Sequence, residues 1–330
     1  MALIVQKFGG TSLADPVSRD LLVGKVKKAL LAKDQVVLVV SAMGREGDAY
    51  ATDTLLGLLS AFPGGKGGLV SDLMVSCGET ISACVIAALL TSRGVDAVPL
   101  TAYTAGIHAE GPYGDANPSG IDSSRIQDLL HRGLVPVVTG FQGVDASGNM
   151  LTLGRGGSDT SAAALGAALR ADFVDIYKDV PGVAKADPRI IKNPPFMEFI
   201  DYDSMFRLAR HGARVLHDKS ALIARDAGLS LRVRSTFDDG PGTLIAALDG
   251  VRVVPDFIGM STSKKEEGMK VTAVFRSGRG AELAKAAKAA ANTIGLGAVP
   301  LDCDDPDAAA FMCESRYGVE FAVKLFSRLA

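Results

Sequence analysis

The run "QVVLVVSAMG", residues 35–44, constrains the fold more than any other stretch. A strand with one wet face alternates apolar and polar residues. A strand that is aliphatic at every position is buried on both faces, as in a parallel sheet covered by helices on each side. "ALIVQKFGG", "VDAVPLTA", "LVPVVTGFQGV", "DFVDIYKDV" and "LSLRVRSTF" read as further strands. Helical spacing separates them in "SRDLLVGKVKKALLAK", "TDTLLGLLSAF", "GETISACVIAALLTSRG", "SSRIQDLLHRG" and "SDTSAAALGAALRA", and "DYDSMFRLARHGARVLHDKSALIARDAG" supplies two more helices. This alternation predicts a three-layer αβα sandwich with a mainly parallel sheet over residues 1–250. After that the text changes. "STSKKEEG" reads as a charged loop, followed by strand, helix, strand, strand and helix. That βαββα order predicts a small ferredoxin-like α+β unit over 251–330, lacking a last strand.

Length and charge set the outer bounds. A chain of 330 residues has room for two domains. A net charge of −2 argues against a general nucleic-acid or membrane-surface binder, since both require a basic excess. No apolar run approaches the ~18 residues that cross a bilayer. Cys77, Cys84, Cys303 and Cys313 show no CxxC or zinc spacing and no secretory leader precedes them, so reduced thiols in the cytoplasm are expected. His108, His131, His211 and His217 form no HExxH-type cluster, and no protein-held metal is expected.

Chemistry concentrates where strands end. "KFGGTS", residues 7–12, closes the first strand with a lysine and two adjacent glycines. Glycine lets backbone N–H groups approach a phosphate, and a following helix start favours anions. Lys7 adds a mobile positive charge, and Thr11 or Ser12 is expected to cap the helix. "VVSAMG" places Ser41 at the end of the next strand, and ligands bind outside the carboxyl ends of parallel strands. "SCGETIS" puts Glu79 at an expected helix N-terminus, where an acid suits the dipole. The densest stretch is "TLGRGGSDTSAAALGAALRA". Arg155 offers a planar fork for a carboxylate and Asp159 a carboxylate for an ammonium, with Ser158 or Thr160 as the cap. An amino acid carries that same pair of opposite charges. "YKDVPGVAKADPR" follows as a shaped loop with Lys178, Asp179, Lys185 and Arg189. There is no Walker A pattern, and the first loop lacks GxGxxG, which disfavours a dinucleotide-dependent dehydrogenase.

Taken in order, "KFGGTS", "VVSAMG…YATDTLL", "SCGETIS", "TGFQG", "TLGRGGSDTSAAALGAAL", "DV.GV..ADPR", "GARVL" and "LRVRST…GTLI" resemble the aspartokinases, within the amino acid kinase family. The resemblance spans about 1–245 and is most similar to the Gram-positive diaminopimelate–lysine type. It implies ATP-dependent phosphorylation of the L-aspartate β-carboxylate, giving 4-phospho-L-aspartate on the route to lysine, threonine and methionine. By motif, Lys7, Gly9, Gly10, Thr11 and Ser12 would hold ATP phosphates, with Mg2+ carried by the nucleotide. Ser41, Thr52, Glu79, Arg155, Ser158 and Asp159 would hold aspartate, Glu79 and Asp159 facing its ammonium. Lys178, Asp179, Lys185, Arg189 and Arg214 would lie along the nucleotide, and Lys7 and Asp159 would carry the catalysis.

The chain departs from the family pattern in places. The family usually has Thr or Ser at Lys178, Asp at Pro181, Lys at Arg214 and "PR" at Asp218–Lys219, all on the expected nucleotide side. It usually ends in two ACT domains, whereas the 80 or so residues after 250 hold one ACT-like unit. The resemblance therefore implies a homodimer through the C-terminal unit, and weakened or altered feedback control. Two alternatives stay open: a non-catalytic paralogue that binds amino acid or nucleotide and regulates a partner, and a family member acting on glutamate, carbamate or a nucleotide.

Overall fold

The computed structural model describes every residue except 46, 63, 65, 66, 251 and 253. One position used above, Val251 at the start of the expected C-terminal domain, lies outside the described residues. The elements run β1 (Leu3–Phe8), α1 (Pro16–Leu31), β2 (Gln35–Val40), α2 (Thr52–Leu58), α3 (Gly68–Ser92), β3 (Ala97–Leu100), β4 (Ile107–Glu110), β5 (Asn117–Ile121), α4 (Ser124–His131), β6 (Val135–Thr139), β7 (Gln142–Val144), β8 (Met150–Thr152), α5 (Gly157–Leu169) and β9 (Phe173–Lys178). They continue with β10 (Phe199–Asp201), α6 (Tyr202–Arg210), α7 (Asp218–Ala227), β11 (Leu231–Ser235), β12 (Thr243–Ala246), β13 (Phe257–Lys265), β14 (Gly268–Phe275), α8 (Gly280–Ile294), β15 (Val299–Leu301), β16 (Ala308–Cys313) and α9 (Ser315–Leu329).

The chain divides into two compact units, Met1–Pro181 with Asp226–Pro241, and Gly182–Arg225 with Gly242–Ala330. Residue 250 thus falls inside the second unit.

In the first unit six strands lie in the order β11-β9-β1-β2-β6-β3, with every neighbouring pair parallel. The aliphatic run of β2 sits near the middle, which is why it carries no polar face. One face is covered by α1 and α3: Phe8, Val36, Leu38, Val40 and Val137 pack with Leu22, Val26, Ile86 and Leu90. Side chains alternate across a strand, so Lys7 points to the other face, where α5 packs on β1, β2 and β9. The small residues of α5 let it lie close. A Cβ on Gly166 would collide with the side chain of Val174.

Local readings change in four places. "LVPVVTGFQGV" is two strands, because Phe141 takes a left-handed φ of 69° that turns the chain. β6 joins the parallel sheet, and β7 joins a second sheet ordered β5-β4-β7-β8. Asp15, rather than Thr11 or Ser12, caps α1, accepting the Ser18 N–H with Pro16 at the first helical position. Gly156, in the left-handed region at φ 76°, opens α5 with no side-chain cap, so neither Ser158 nor Thr160 has that role. The fourth change is in α3, which starts at Gly68 and leaves Glu79 in mid-helix, away from the N-terminal end of the dipole. That long start also makes α3 apolar and long enough to cross a membrane by length and composition, with mean hydropathy 1.9 over 18 residues, half of them buried. Sequence reading missed it because "SCGETIS" looked like a boundary.

The second unit holds an antiparallel sheet ordered β13-β14-β16-β15. The expected charged loop is the outer half of β13, whose inner half, "FIGMS", is buried. The unit therefore does not lack a strand. β13 lies beside β14, where the final strand of a ferredoxin-like order would lie, so the same four-strand order is reached with that strand placed first. Pairing there covers an edge of β14 that would otherwise stay open. Phe257, Phe275, Phe311, Phe321 and Phe326 form the core beneath α8 and α9. Phe311 and Phe321 meet edge-on at 5.7 Å between ring centroids. α6 packs against β13 and β14, and β10 pairs parallel with β12.

Candidate active site

The carboxyl ends of β1, β2 and β9 and the first turn of α5 meet in the first unit. Lys7 is paired in register with Val39 of β2 and Ile176 of β9, which fixes its ammonium at the mouth of the sheet. Its Nζ lies 2.6 Å from Asp159 Oδ1. Lys178 Nζ lies 2.8 Å from Asp159 Oδ2. One carboxylate therefore holds two ammonium groups apart, and all three are largely removed from water, Asp159 being 2% exposed. Burial by itself would raise the Asp159 pKa. The Lys178 and Lys7 charges overcome it and hold the group well below the usual carboxylate range. Burial pulls Lys7 below the usual lysine value, and Asp159 resists that pull in part. Two cations against one anion leave a net positive charge facing the strand ends, with the α5 N-terminus adding to it.

Glu79 lies deeper. Its Oε1 accepts the Ala42 N–H at 2.9 Å. Its Oε2 is buried and has no hydrogen-bond partner among the described residues. Burial pushes Glu79 up to about 8. Gly78 makes this contact possible, since a Cβ there would sit 2.7 Å from the Ala42 Cβ and 2.9 Å from the Tyr50 carbonyl oxygen. The chain leaving β2 can cross α3 that closely only over a glycine. Gly10 serves the same loop from the other side. Its Cβ would meet the carbonyl oxygens of Ala42 and Gly44 at 2.7 Å, and its own carbonyl accepts the Gly44 N–H.

The other expected residues distribute as follows. Gly9 runs under the Lys7 ammonium, which would lie 3.6 Å from a Cβ placed there. Thr11 is half-buried. Ser12 is fully buried and hydrogen-bonds Thr236 at 2.7 Å, so it ties the first turn to the chain after β11 and does not face an open site. Ser41 and Thr52 are half-buried, Ser41 donating its N–H to Phe8 O. Ser158 is buried against Gly140. Arg155 is exposed, between Gly154 and Gly156 at φ 78° and 76°, with no ion pair among the described residues. Asp159 is not open to a ligand ammonium as expected, because both its oxygens are occupied by lysines. Asp179 is exposed and pairs with Arg45 at 3.0 Å.

Lys185, Arg189 and Arg214 belong to the second unit. Lys185 Nζ lies over the Phe257 ring, Arg189 pairs with Asp187 at 2.6 Å, and Arg214 is exposed.

Sequence reasoning missed three contributors. The Ala42 N–H and Gly78 carry no chemical signature of their own, although "SAMG" and "CGE" mark both as small residues beside a functional one. Asp72 is buried and accepts the N–H groups of Thr152 and Gly114 at 2.7 and 3.0 Å, clamping α3 to the turn before Arg155. Nothing in a lone "SDL" announces that.

Comparison with known proteins gives a consistent picture. Aspartokinase 1 of Bacillus subtilis is 43% identical over 256 residues, 78% of this chain, and the chain spans 63% of that relative's length. An aspartate kinase structure from Synechocystis is 33% identical with a TM-score of 0.65, covering all of this chain and 55% of that one. The fold is also that of E. coli aspartokinase III, solved with aspartate and ADP, at a TM-score of 0.83 and 20% identity over 99% of both chains. The amino acid kinase family description matches residues 2–235, and the chain belongs to the amino acid kinase family.

Proposed function

We propose that this chain is an aspartate kinase, transferring the γ-phosphoryl group of ATP to the β-carboxylate of L-aspartate to give 4-phospho-L-aspartate and ADP. The observation that carries this reading is the Lys7–Asp159–Lys178 clamp at the strand ends. The aspartokinase relatives support the substrate. Lys178 departs from the family's usual Thr or Ser, and here it is the second arm of the clamp.

A β-carboxylate oxygen attacks the γ-phosphorus. The bond from that phosphorus to the bridging oxygen breaks, and its electron pair leaves with ADP. No proton moves, because the nucleophile is already ionised at neutral pH. Catalysis then rests on placement and charge. Lys7 and Lys178 neutralise the transferred group, and Asp159 keeps them preorganised. Gly9, Gly10 and Thr11 offer N–H groups to the phosphates. Arg155 grips the α-carboxylate, and Ser41, Thr52 and Ser158 line the substrate. Glu79 Oε2 takes the ammonium in place of Asp159. Asp179 attends the nucleotide. Two ammonium groups over a glycine turn fit a phosphate. Mg2+ bound to those phosphates would supply further charge neutralisation.

In this reading 1–250 forms the catalytic domain and 251–330 an ACT-like unit through which a homodimer assembles, in the cytoplasm. The ferredoxin-like strand order and the exposed Val299 on edge strand β15 support that role. The test is ATP, Mg2+ and L-aspartate with hydroxylamine as trap. Aspartyl hydroxamate formed with L-aspartate and not with L-glutamate is the expected result. Product from glutamate alone would move the chain to another kinase of the family. Aspartate binding without product would make it a regulatory paralogue.

A further inference from the structure

The sheet face covered by α1 carries a polar row that the catalytic reading does not use. Gln6 of β1 pairs in register with Asp175 of β9, and Asp175 with Arg232 of β11. Gln6 and Asp175 are 2% and 1% exposed. A sheet buried on both faces is expected to be aliphatic there, and β2 does place Leu38 beside Gln6. The row is the floor of a cavity of about 280 Å3 within the first unit, walled by Lys25, Lys28 and Ala29 of α1. Phe8 and Tyr177 share this face, so Lys7 and Lys178 point to the other one, and the cavity is separate from the clamp.

Most polar groups around the cavity are already matched. Arg232 holds both oxygens of Asp175, at 2.6 and 3.0 Å. Lys25 donates to the Asp238 carbonyl oxygen and, at 2.7 Å, to Asp239. Three groups are not matched in this way. Gln6 Oε1 and Arg234 Nε are buried with no hydrogen-bond partner among the described residues. Lys28 is 67% exposed and has only a loose contact with Asp239 at 3.6 Å. A buried acceptor and a buried donor left unmade each cost stability, and one group from outside the chain can satisfy both.

We propose that this cavity binds a polyhydroxylated monocarboxylate, an open-chain sugar acid. The Arg234 Nε–H and the Lys28 ammonium donate to the carboxylate, and Gln6 Oε1 accepts a hydroxyl proton. Charge selects a monoanion. The lining holds four cations, Lys25, Lys28, Arg232 and Arg234, against the carboxylates of Asp34, Asp175 and Asp239, which leaves one positive charge over. A zwitterion would leave that charge unmatched, and a phosphate dianion would exceed it. Length follows from the strands. Gln6 on β1 and Arg234 on β11 are separated by β9, roughly 10 Å between backbones. The carboxylate and the hydroxyl read by Gln6 therefore lie several atoms apart, in a chain of about four to six carbons. The carboxylates of Asp34 and Asp239 can accept further hydroxyls, whereas a fatty acid of the same length would leave Gln6 Oε1 unpaired.

The experiment titrates the full chain with D-gluconate, hexanoate and sorbitol, following each ligand by NMR. Gluconate carries the charge and the hydroxyls, hexanoate the charge alone and sorbitol the hydroxyls alone. Gluconate is expected to bind once per chain, with a Kd about tenfold or more below either of the others. Gln6→Leu should bring gluconate to the level of hexanoate. Lys28→Glu, at an exposed position that the fold does not depend on, should weaken gluconate and hexanoate about tenfold and leave sorbitol unchanged. Lys178→Met, which breaks the clamp on the other face, should leave all three unchanged. Gluconate binding no tighter than hexanoate and sorbitol would mean that water satisfies Gln6 and Arg234, and would overturn the proposal. Hexanoate binding tighter than gluconate would overturn the ligand class. Gluconate binding that Lys178→Met abolishes and Lys28→Glu spares would place the ligand at the strand ends and overturn the site.

Discussion

The parallel sheet and the antiparallel sheet of this protein treat charge in opposite ways. In the first unit Lys7, Asp159, Lys178 and Glu79 are wholly or largely buried where β1, β2 and β9 end. In the second unit the strands β13, β14 and β16 bury phenylalanine, alanine and valine, and the lysines of the β13–β14 hairpin point to water. The difference follows from direction. Parallel strands with crossover helices put every strand's carboxyl end and every following helix's N-terminus at one edge, so a positive field accumulates where a ligand can sit. Antiparallel strands alternate and leave no such pole. In the first sheet the buried ion cluster lies at that edge. In the second, the ionic contacts that matter are braces, such as Arg207 on α6 to Asp307, whose other oxygen accepts the N–H of Gly280 at the start of α8.

The largest expected effect comes from breaking the clamp. Asp159→Ala would leave two ammonium groups buried without a counter-charge, a cost of about 3–5 kcal/mol, with activity falling to background. Lys178→Met should cost about 10²–10³-fold in kcat while the fold survives. Hydroxamate formation and urea midpoints measure both. The counterpart in the second unit is Phe311→Ala, expected to cost about 3–5 kcal/mol with kcat of the surviving folded fraction near wild type. Equal loss of kcat in that fraction would erase the contrast between the sheets.

Next in size is Gly10→Ala. Its Cβ has only the fixed backbone oxygens of Ala42 and Gly44 to push against. The loop after β2 must move, so the L-aspartate KM should rise at least tenfold, read by initial rates across a substrate series.

Glu79 sharpens the comparison through pH. Its native value is raised to about 8 by burial, above its ordinary value of 4.5. The native state therefore holds a proton that the unfolded chain releases. That stabilisation is complete below about 4.5, declines as pH rises, and is gone above about 8. An incoming ammonium would favour the ionised form, so L-aspartate should bind more tightly as pH approaches 8 and release close to one proton near neutrality. Calorimetry in two buffers of different ionisation enthalpy measures the release, and Glu79→Gln should abolish it.

The smallest effect is expected at the Arg93–Asp20 pair, which is about half exposed at both ends. Arg93→Ala should change stability by no more than about 0.5–1 kcal/mol and leave the kinetics alone. It marks the difference between a surface contact and the clamp.

Much of this was legible in the residues. The unbroken "QVVLVV" run, the glycine turns and the order of the motifs pointed to the parallel sheet, to its strand ends and to the family. Roles within the site were less legible. Arg155 and Asp159 look like a pair that reads an amino acid, yet Arg155 is exposed and Asp159 is buried between lysines. The reason is that Lys178 is 19 residues away from Asp159 in sequence, and only the β9–β1 register brings it alongside Lys7. The same holds for Ser12, which looked like a phosphate ligand and is instead buried against Thr236.

By itself, the sequence determined which segments are strands buried on both faces, where the backbone must turn through glycine, and which chemical groups are available at the turns. Those are local properties, set by side-chain periodicity and by which residues tolerate positive φ. Only the tertiary structure decided which charges meet, which acid is left with an open oxygen, and that β13 completes the second sheet from the N-terminal side. Pairing across long sequence separations depends on strand register and helix placement. The desolvation that moves Glu79 to about 8, and the lysine charges that hold Asp159 ionised against its own burial, exist only once the chain has closed around them.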